Sequence, residues 1–436
     1  MSITPYELLL RLIDRGHRPG ALIGDWFGHQ AIVAVDLDLL PCHPDELFPA
    51  DGAWYFGYRP YSGPPAQARA PLFATLDDGH WSIGQVDSRE LTPALRRSLE
   101  DLREALTATP NASDDDSQSV EAVELAWDNG DQQAHRAAVA SCQEAIRAGE
   151  VYQTCISTRF HAEVPAGVDP LRHAAAWFSN RARHYQPARA AFLPGNLSVG
   201  IPIIASLSPE EFLVRRGPEV RESPIKGTLP LHRDSAELLH SEKDVAENIM
   251  IVDLVRHDLG QVALTGSVRV TDLLSVRPAP GVWHLFSTVA ATLPPHLPHA
   301  QLIEACFPPA SVTGTPKLRA ASLIAQWEPE ERGVHCGAIG ACHGEDLELN
   351  VAIRTAEYEL PCPASSPGAA TAETPLVTPA TPAAGPNREN PNPPRVRVSA
   401  GIGGGITIAS TASGEWAEIQ AKAAPLLRGS KVPRPD

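Results

Sequence analysis

Lys226 stands between Pro224 and Gly227, after Ser223 and before Thr228. Proline and glycine fix an irregular backbone there. An isolated lysine on such a loop is in most cases a solvated side chain. Held inside a pocket it would be desolvated, its pKa would fall, and its neutral amine would be a nucleophile. Glu247, Ile251 and Leu254 are spaced i, i+4, i+7 within Ser241 to Gly260, a run that Ser241 or Asp244 can cap and Gly260 can end. A carboxylate on the apolar face of a helix needs a partner. An arginine such as Arg256 or a metal ion would serve, and this helix alone favours the ion pair.

Glu415, Glu418 and Lys422 repeat at i, i+3, i+7 in Gly414 to Leu427, opposite the apolar stripe of Trp416, Ile419 and Ala423. A Glu-to-Lys pair four residues apart is a common surface device. The preceding run Gly401-Ile402-Gly403-Gly404-Gly405 reads as glycines following a strand. They would allow close backbone approach to a ligand and offer free N–H groups to an anion. Arg354 reads as part of the apolar strand Asn350 to Thr355, where an arginine usually meets a carboxylate of the protein or of a ligand. Phe307 to Lys317 is a turn-rich lead into a helix from Leu318 to Trp327.

These groups need a scaffold. The 436 residues, 43% of them hydrophobic, are enough for one large domain or two ordinary ones. Pro5 to Arg15, Thr92 to Leu106 and Gln132 to Arg147 have helical spacing, and Ala31 to Val35 reads as a strand. Residues 107–130 read as an acidic linker between an N-terminal α/β part (1–106) and a catalytic region (131–430). Residues 361–394, built from Pro, Ala, Thr, Ser, Gly and Asn, read as a flexible insertion. It separates strand candidates Glu348 to Ala356 and Arg395 to Ser399, so it would hang from a hairpin. A formal charge of −16 argues against nucleic acid or an anionic membrane as partner. No stretch reads as a signal peptide or membrane span, which makes the cytoplasm the expected location. Seven scattered cysteines without a Cys-x-x-Cys pair read as reduced structural thiols.

Taken in order, the Val151-Tyr152-Gln153 run, Pro-Ile-Lys-Gly-Thr, the Glu247 helix, Thr313-Gly314-Thr315-Pro316-Lys317 and the glycine run with Glu418 resemble the chorismate-utilising enzymes. The resemblance spans about Gln132 to Leu427. Trp54-Tyr55-Phe56-Gly57-Tyr58 is a looser match in the N-terminal part. The resemblance implies an α+β fold: two large antiparallel β-sheets packed as a sandwich and wrapped by helices. It implies Mg²⁺ on Glu247 and Glu418, and chorismate contacts from Gly227, Thr228, Arg354, Gly403, Gly404, Gly405, His335 and Lys422. Lys226, Glu210 and His284 would be the catalytic set, with Glu210 for acid/base work.

Two positions discriminate among the branches of that family. Its water-adding members are similar in having a lysine base where this chain has Gln153, and glutamine cannot act as that base. Anthranilate synthases usually carry alanine where this chain has Lys226, as the para-aminobenzoate branch does. The implied reaction is amination of chorismate to 4-amino-4-deoxychorismate. Anthranilate synthase component I, and a non-catalytic chorismate-binding subunit, are the alternatives. No glutaminase module is read in the chain, and no Gly-x-Cys-x-Gly nucleophile elbow is expected. The implied ammonia source is therefore a separate glutamine amidotransferase subunit, component II.

Overall fold

Period-two alternation decides the architecture. In the strands Gly20–Trp26 and His29–Ala34, Leu22 and Ile32 point one way while Ala21, Ile23, Ala31 and Val33 point the other, and all are buried. A strand buried on both faces must lie between two layers. Leu22 and Ile32 meet Trp54, Phe56 and Tyr58 of strand Trp54–Arg59 and Ile339 and Ala341 of strand Ala338–His343, which belong to a second sheet. Ala21, Ile23, Ala31 and Val33 pack outward with helices Pro5–Asp14, Pro170–Tyr185 and Ala412–Leu427. The outer face of the second sheet is covered by Glu242–Gly260 and His299–Cys306. The order is helix, sheet, sheet, helix, so the α+β sandwich implied by the sequence resemblance is the observed fold. Each large apolar side chain sealed between layers contributes about 1.5–3 kcal/mol.

The coordinates are a computed structural model that describes residues 3–84, 92–107, 123–279, 282–360 and 395–427. Among these residues there are two ten-stranded antiparallel sheets. The first runs through Gln153–Glu163, Arg397–Ile406, Thr355–Glu359, Ile203–Ser206 and Arg189–Leu193 to the N-terminal strands. The second begins at Ile225–Pro230, crosses Val282–Thr292, Glu219–Glu222 and Glu211–Arg216, and ends beyond Trp54–Arg59. N-terminal strands enter both sheets, so residues 1–106 complete the sandwich.

Local sequence sets the ends of the helices. Thr4 and Glu7 form a reciprocal capping box on Pro5–Asp14. The Ser241 hydroxyl accepts the Asp244 N–H at 3.2 Å and starts Glu242–Gly260, whose buried face includes Glu247, Ile251 and Leu254. The spacing read from the sequence therefore does describe that face. Arg256 is elsewhere, paired with Asp253 on the surface.

Three expectations are corrected. Glu348 to Ala356 is two strands, Asp346–Val351 in the second sheet and Thr355–Glu359 in the first. Arg354 lies between them at φ +50°, where the chain crosses from sheet to sheet, and is not in a strand. The glycine run does not follow a strand but lies inside Arg397–Ile406. Flanking the insertion, Thr355–Glu359 and Arg397–Ile406 pair antiparallel, as a hairpin requires. The insertion 361–394 and most of the acidic segment (108–122) lie outside the described residues. The rest of that segment is packed: Leu125 is in the core and the Asp128 N–H donates to the His161 carbonyl.

Candidate active site

The glycine strand Arg397–Ile406 is paired along its length to Gln153–Glu163, but on its other side pairing with Thr355–Glu359 stops at Ala400 opposite Ala356. From Gly401 onward that edge is open. The free N–H groups expected of the glycines are thus limited to one edge. Missing side chains matter more. A Cβ on Gly405 would lie 3.5 Å from Glu247 Oε2 and 3.8 Å from Lys226 Nζ; one on Gly404 would lie 3.7 Å from Glu418 Oε1. The bare strand is the floor on which these charged groups rest.

Lys226 reaches this floor from the second sheet. Its segment is a bulged edge strand, Ile225–Pro230, with the register break between Ile225 and Thr228 and Gly227 at φ +85°. The irregularity expected from Pro224 and Gly227 is this bulge. Lys226 Nζ donates to the Ser311 carbonyl at 2.9 Å. Ser311 lies in the single 3-10 turn Ala310–Val312.

Glu210 is buried beside it. Its carboxylate accepts the Ile225 N–H at 3.3 Å and the Ser311 hydroxyl. Desolvation outweighs these bonds and the nearby Lys226 charge, so the Glu210 pKa is raised and the carboxyl keeps its proton to higher pH than usual. Burial likewise raises Glu247, against the pull of Lys226 and Lys243. Glu418 is open to the cleft. Desolvation pushes it up, but Lys422, Lys243 and Lys226 together hold it below its usual value. Lys422 Nζ lies 2.6 Å from Glu418 Oε1 and 3.1 Å from the Gly403 carbonyl.

A second group faces the same end of the second sheet. The Thr228 hydroxyl is 3.1 Å from His284 Nδ1. Burial and the nearby Arg354 charge depress the His284 pKa to about 4, so the imidazole is neutral at neutral pH. Arg354 is exposed by surface area, yet surrounding protein desolvates it and lowers its pKa. Both hold for a guanidinium in an open recess. Among the described residues its side chain makes no hydrogen bond or ion pair. An unpaired arginine fork in a recess suits a carboxylate or phosphate ligand.

Two carboxylates could hold a metal. Glu247 Oε1 is buried without a hydrogen-bond partner, its nearest cation being Lys243 at 4.0 Å. Glu418 is close enough to Glu247 to add to the rise in the Glu247 pKa. Among the described residues no group of three or more His, Cys, Asp and Glu could hold a metal. Two carboxylates with water and ligand oxygens are what Mg²⁺ commonly uses, so the residues fit that ion.

The structure thus gathers Lys226, Glu210, His284, Gly227, Thr228, Arg354, Gly403, Gly404, Gly405, Lys422, Glu247 and Glu418 at one end of the sandwich. Among the described residues no hydrogen bond joins His335 to these groups. It is 1% exposed, its ring lies over Gly401, and Nε2 bonds to Ser157 Oγ at 3.0 Å. Gln153 is also buried, with an unpartnered Oε1. Ser311 was missed by sequence reasoning because a serine in a turn-rich run carries no sign that its carbonyl will face a lysine.

The six described cysteines are free, and burial raises the pKa of each. Contrary to expectation, one Gly-x-Cys-x-Gly spacing does occur, Gly340 to Gly344. It ends the strand Ala338–His343 and turns into Asp346–Val351, whereas a nucleophile elbow joins a strand to a helix. Cys342 is fully buried and its thiol donates to the Pro49 carbonyl. Among the described residues no helix is long and apolar enough to cross a membrane.

A sandwich with an anion-seeking arginine, two carboxylates and a lysine at one open end defines the class of protein. The family model described as chorismate binding enzyme matches residues 57–362, more than half the chain, and the chain belongs to that family. It is 41% identical over 224 residues to aminodeoxychorismate synthase component 1 of Escherichia coli (strain K12), a match covering 49% of this chain and 47% of that one. It is 36% identical over 226 residues to anthranilate synthase component 1 of Streptomyces coelicolor, covering 50% and 42%. The chain spans about half the length of the curated relatives it matches. Its fold is that of anthranilate synthase component I from Streptococcus pneumoniae TIGR4, with a TM-score of 0.67 at 24% identity over 98% of this chain and 86% of that one. The menaquinone-specific isochorismate synthase MenF of Escherichia coli gives 0.65 at 16% identity, over 98% and 91%.

Proposed function

We propose that this chain aminates chorismate to 4-amino-4-deoxychorismate, with ammonia delivered by a separate glutamine amidotransferase subunit. The observation that carries the reading is Lys226, sharing the Ser311 turn with a buried Glu210 whose pKa is raised. The relatives named aminodeoxychorismate synthase component 1 support the same branch.

Each residue has a role that its environment supports. Arg354 pairs with the enolpyruvyl carboxylate. Glu247 and Glu418 would hold Mg²⁺, which supplies charge stabilisation at the ring carboxylate when bound. The Lys226 amine forms a bond to C2 as both conjugated ring double bonds shift and the C4 hydroxyl departs. Glu210 gives that hydroxyl its proton, so water leaves. Ammonia then bonds to C4, both double bonds shift back, the C2–N bond to Lys226 breaks, and Glu210 takes back a proton from the new C4 ammonium. The sum is chorismate and ammonia to aminodeoxychorismate and water.

Incubation with chorismate, Mg²⁺ and ammonium, with the product identified by mass, tests this. The expected product is 4-amino-4-deoxychorismate, convertible to para-aminobenzoate by a lyase. Release of pyruvate with a fluorescent aromatic amine would replace it by the anthranilate reaction. Calorimetric binding of chorismate with no turnover would replace it by a binding subunit.

A further inference from the structure

We propose that Arg332 is a positioning residue for this reaction: through Glu328 and two backbone carbonyls it fixes the turn that holds Lys226 and Glu210. The inference rests on the catalytic reading above, and the experiment below separates the two.

Arg332 touches none of the groups in the cleft. It is 2% exposed, under the ring of Tyr61 at 4.6 Å. Every nitrogen of its guanidinium is engaged, through four hydrogen bonds. Nε and Nη2 donate to the two Glu328 oxygens at 2.8 and 2.6 Å. Nη1 donates to the Val312 carbonyl at 2.9 Å, and Nη2 also donates to the Cys155 carbonyl at 2.8 Å. Glu328 adds a fourth attachment by accepting the Ser157 N–H at 2.7 Å.

The carbonyls are the informative part. Val312 is the last residue of the turn Ala310–Val312, and Ser311 is next to it. The Ser311 carbonyl accepts from Lys226 Nζ, and its hydroxyl donates to the Glu210 carboxylate. Cys155 lies on Gln153–Glu163, the strand paired with the glycine floor, with Gly405 opposite Cys155. One planar guanidinium therefore ties the turn that carries the lysine to the strand that supports the floor. The Cys155 N–H to the Thr313 carbonyl, at 2.8 Å, closes the same joint from the other side. Only arginine can hold a carboxylate bidentately and reach two carbonyls at once. A lysine there keeps the charge but not the fork.

A buried Arg–Glu pair of this kind need not add stability, since replacing both members by apolar residues is often neutral. What the geometry of this pair supplies is precision at Ser311. A displacement of about 1 Å at a catalytic group costs roughly 100-fold in rate.

The test uses the full chain and two variants, the double variant Arg332→Met/Glu328→Met, which leaves no buried charge unpaired, and Arg332→Lys. Thermal unfolding gives the folded fraction. Per folded molecule, kcat for chorismate consumption with ammonium is expected to fall roughly 100-fold in the double variant, with KM changed by less than about 3-fold. Arg332→Lys is expected to lie between the two. Loss of the Ser311 hydroxyl from Glu210 would raise its pKa further, among Lys226, Lys422 and Glu222, so the alkaline limb of the rate profile moves to higher pH. Without substrate, reductive methylation of Lys226, read by peptide mass, is expected to speed up in both variants. A kcat per folded molecule and a Lys226 labelling rate both equal to those of the parent chain would overturn the proposal. If the parent chain does not consume chorismate, the catalytic reading fails, while the labelling comparison still decides whether Arg332 positions Lys226.

Discussion

The two ends of the inter-sheet space differ in one physical respect. At the N-terminal end Trp54, Phe56, Leu22, Ile32 and Ala341 close it with apolar side chains. At the other end Lys226, Glu247 and Glu418 sit over bare glycines, and Arg354 opens to solvent. The same pair of sheets is a core at one end and a cleft at the other. Two details make the difference. The strand Thr355–Glu359 begins only opposite Ala400 of the glycine strand, because the chain has just crossed from the second sheet at Arg354. The two buried-versus-open arginines repeat the contrast. Arg332 has every guanidinium nitrogen bonded to protein, and among the described residues the Arg354 side chain has no hydrogen bond or ion pair.

If the open end is a ligand site and the closed end a core, substitutions should separate them. Arg354→Ala should lower kcat/KM for chorismate by about 100- to 1000-fold with little change in unfolding temperature, because it removes the carboxylate's fork. Steady-state kinetics with a melting curve checks both halves. Phe56→Ala should do the reverse, costing about 3–5 kcal/mol of stability in a denaturant titration while the surviving folded fraction keeps its KM. Gly401→Ala sits between the regions, since its Cβ would lie 2.2 Å from the His335 ring. It should cost about 1–3 kcal/mol by overpacking, read as a lower denaturation midpoint. The smallest effect is in pH. The raised pKa of Glu210 keeps its acid form present above the usual carboxylate range, and the rate should fall as pH rises through it. In Glu210→Gln that alkaline limb should be absent.

Much of the cleft was legible in the chain, for physical reasons. Glu247 showed itself by sharing a helical face with Ile251 and Leu254, because period 3.6 is written in the sequence. Lys226 was marked by its proline and glycine, which forced a bulge even though the segment is a strand. The sandwich itself came from the family resemblance. The crossing at Arg354 was hidden, since Val351-Ala352-Ile353-Arg354-Thr355 has no glycine or proline and looks like one uninterrupted strand. Glu328 to Arg332 reads as a charged surface turn, Glu-Pro-Glu-Glu-Arg. Burial of its first and last members depends on strands more than a hundred residues away in sequence. Such long-range pairing leaves no local mark.

The central claim is that Lys226 acts on chorismate as a nucleophile, and it can be tested in one assay. Chorismate consumption with Mg²⁺ and saturating ammonium is measured for the parent chain and for Lys226→Ala. The account predicts that the variant loses at least about 1000-fold in kcat while remaining folded. Formation of 4-amino-4-deoxychorismate by Lys226→Ala at the parent rate would contradict it.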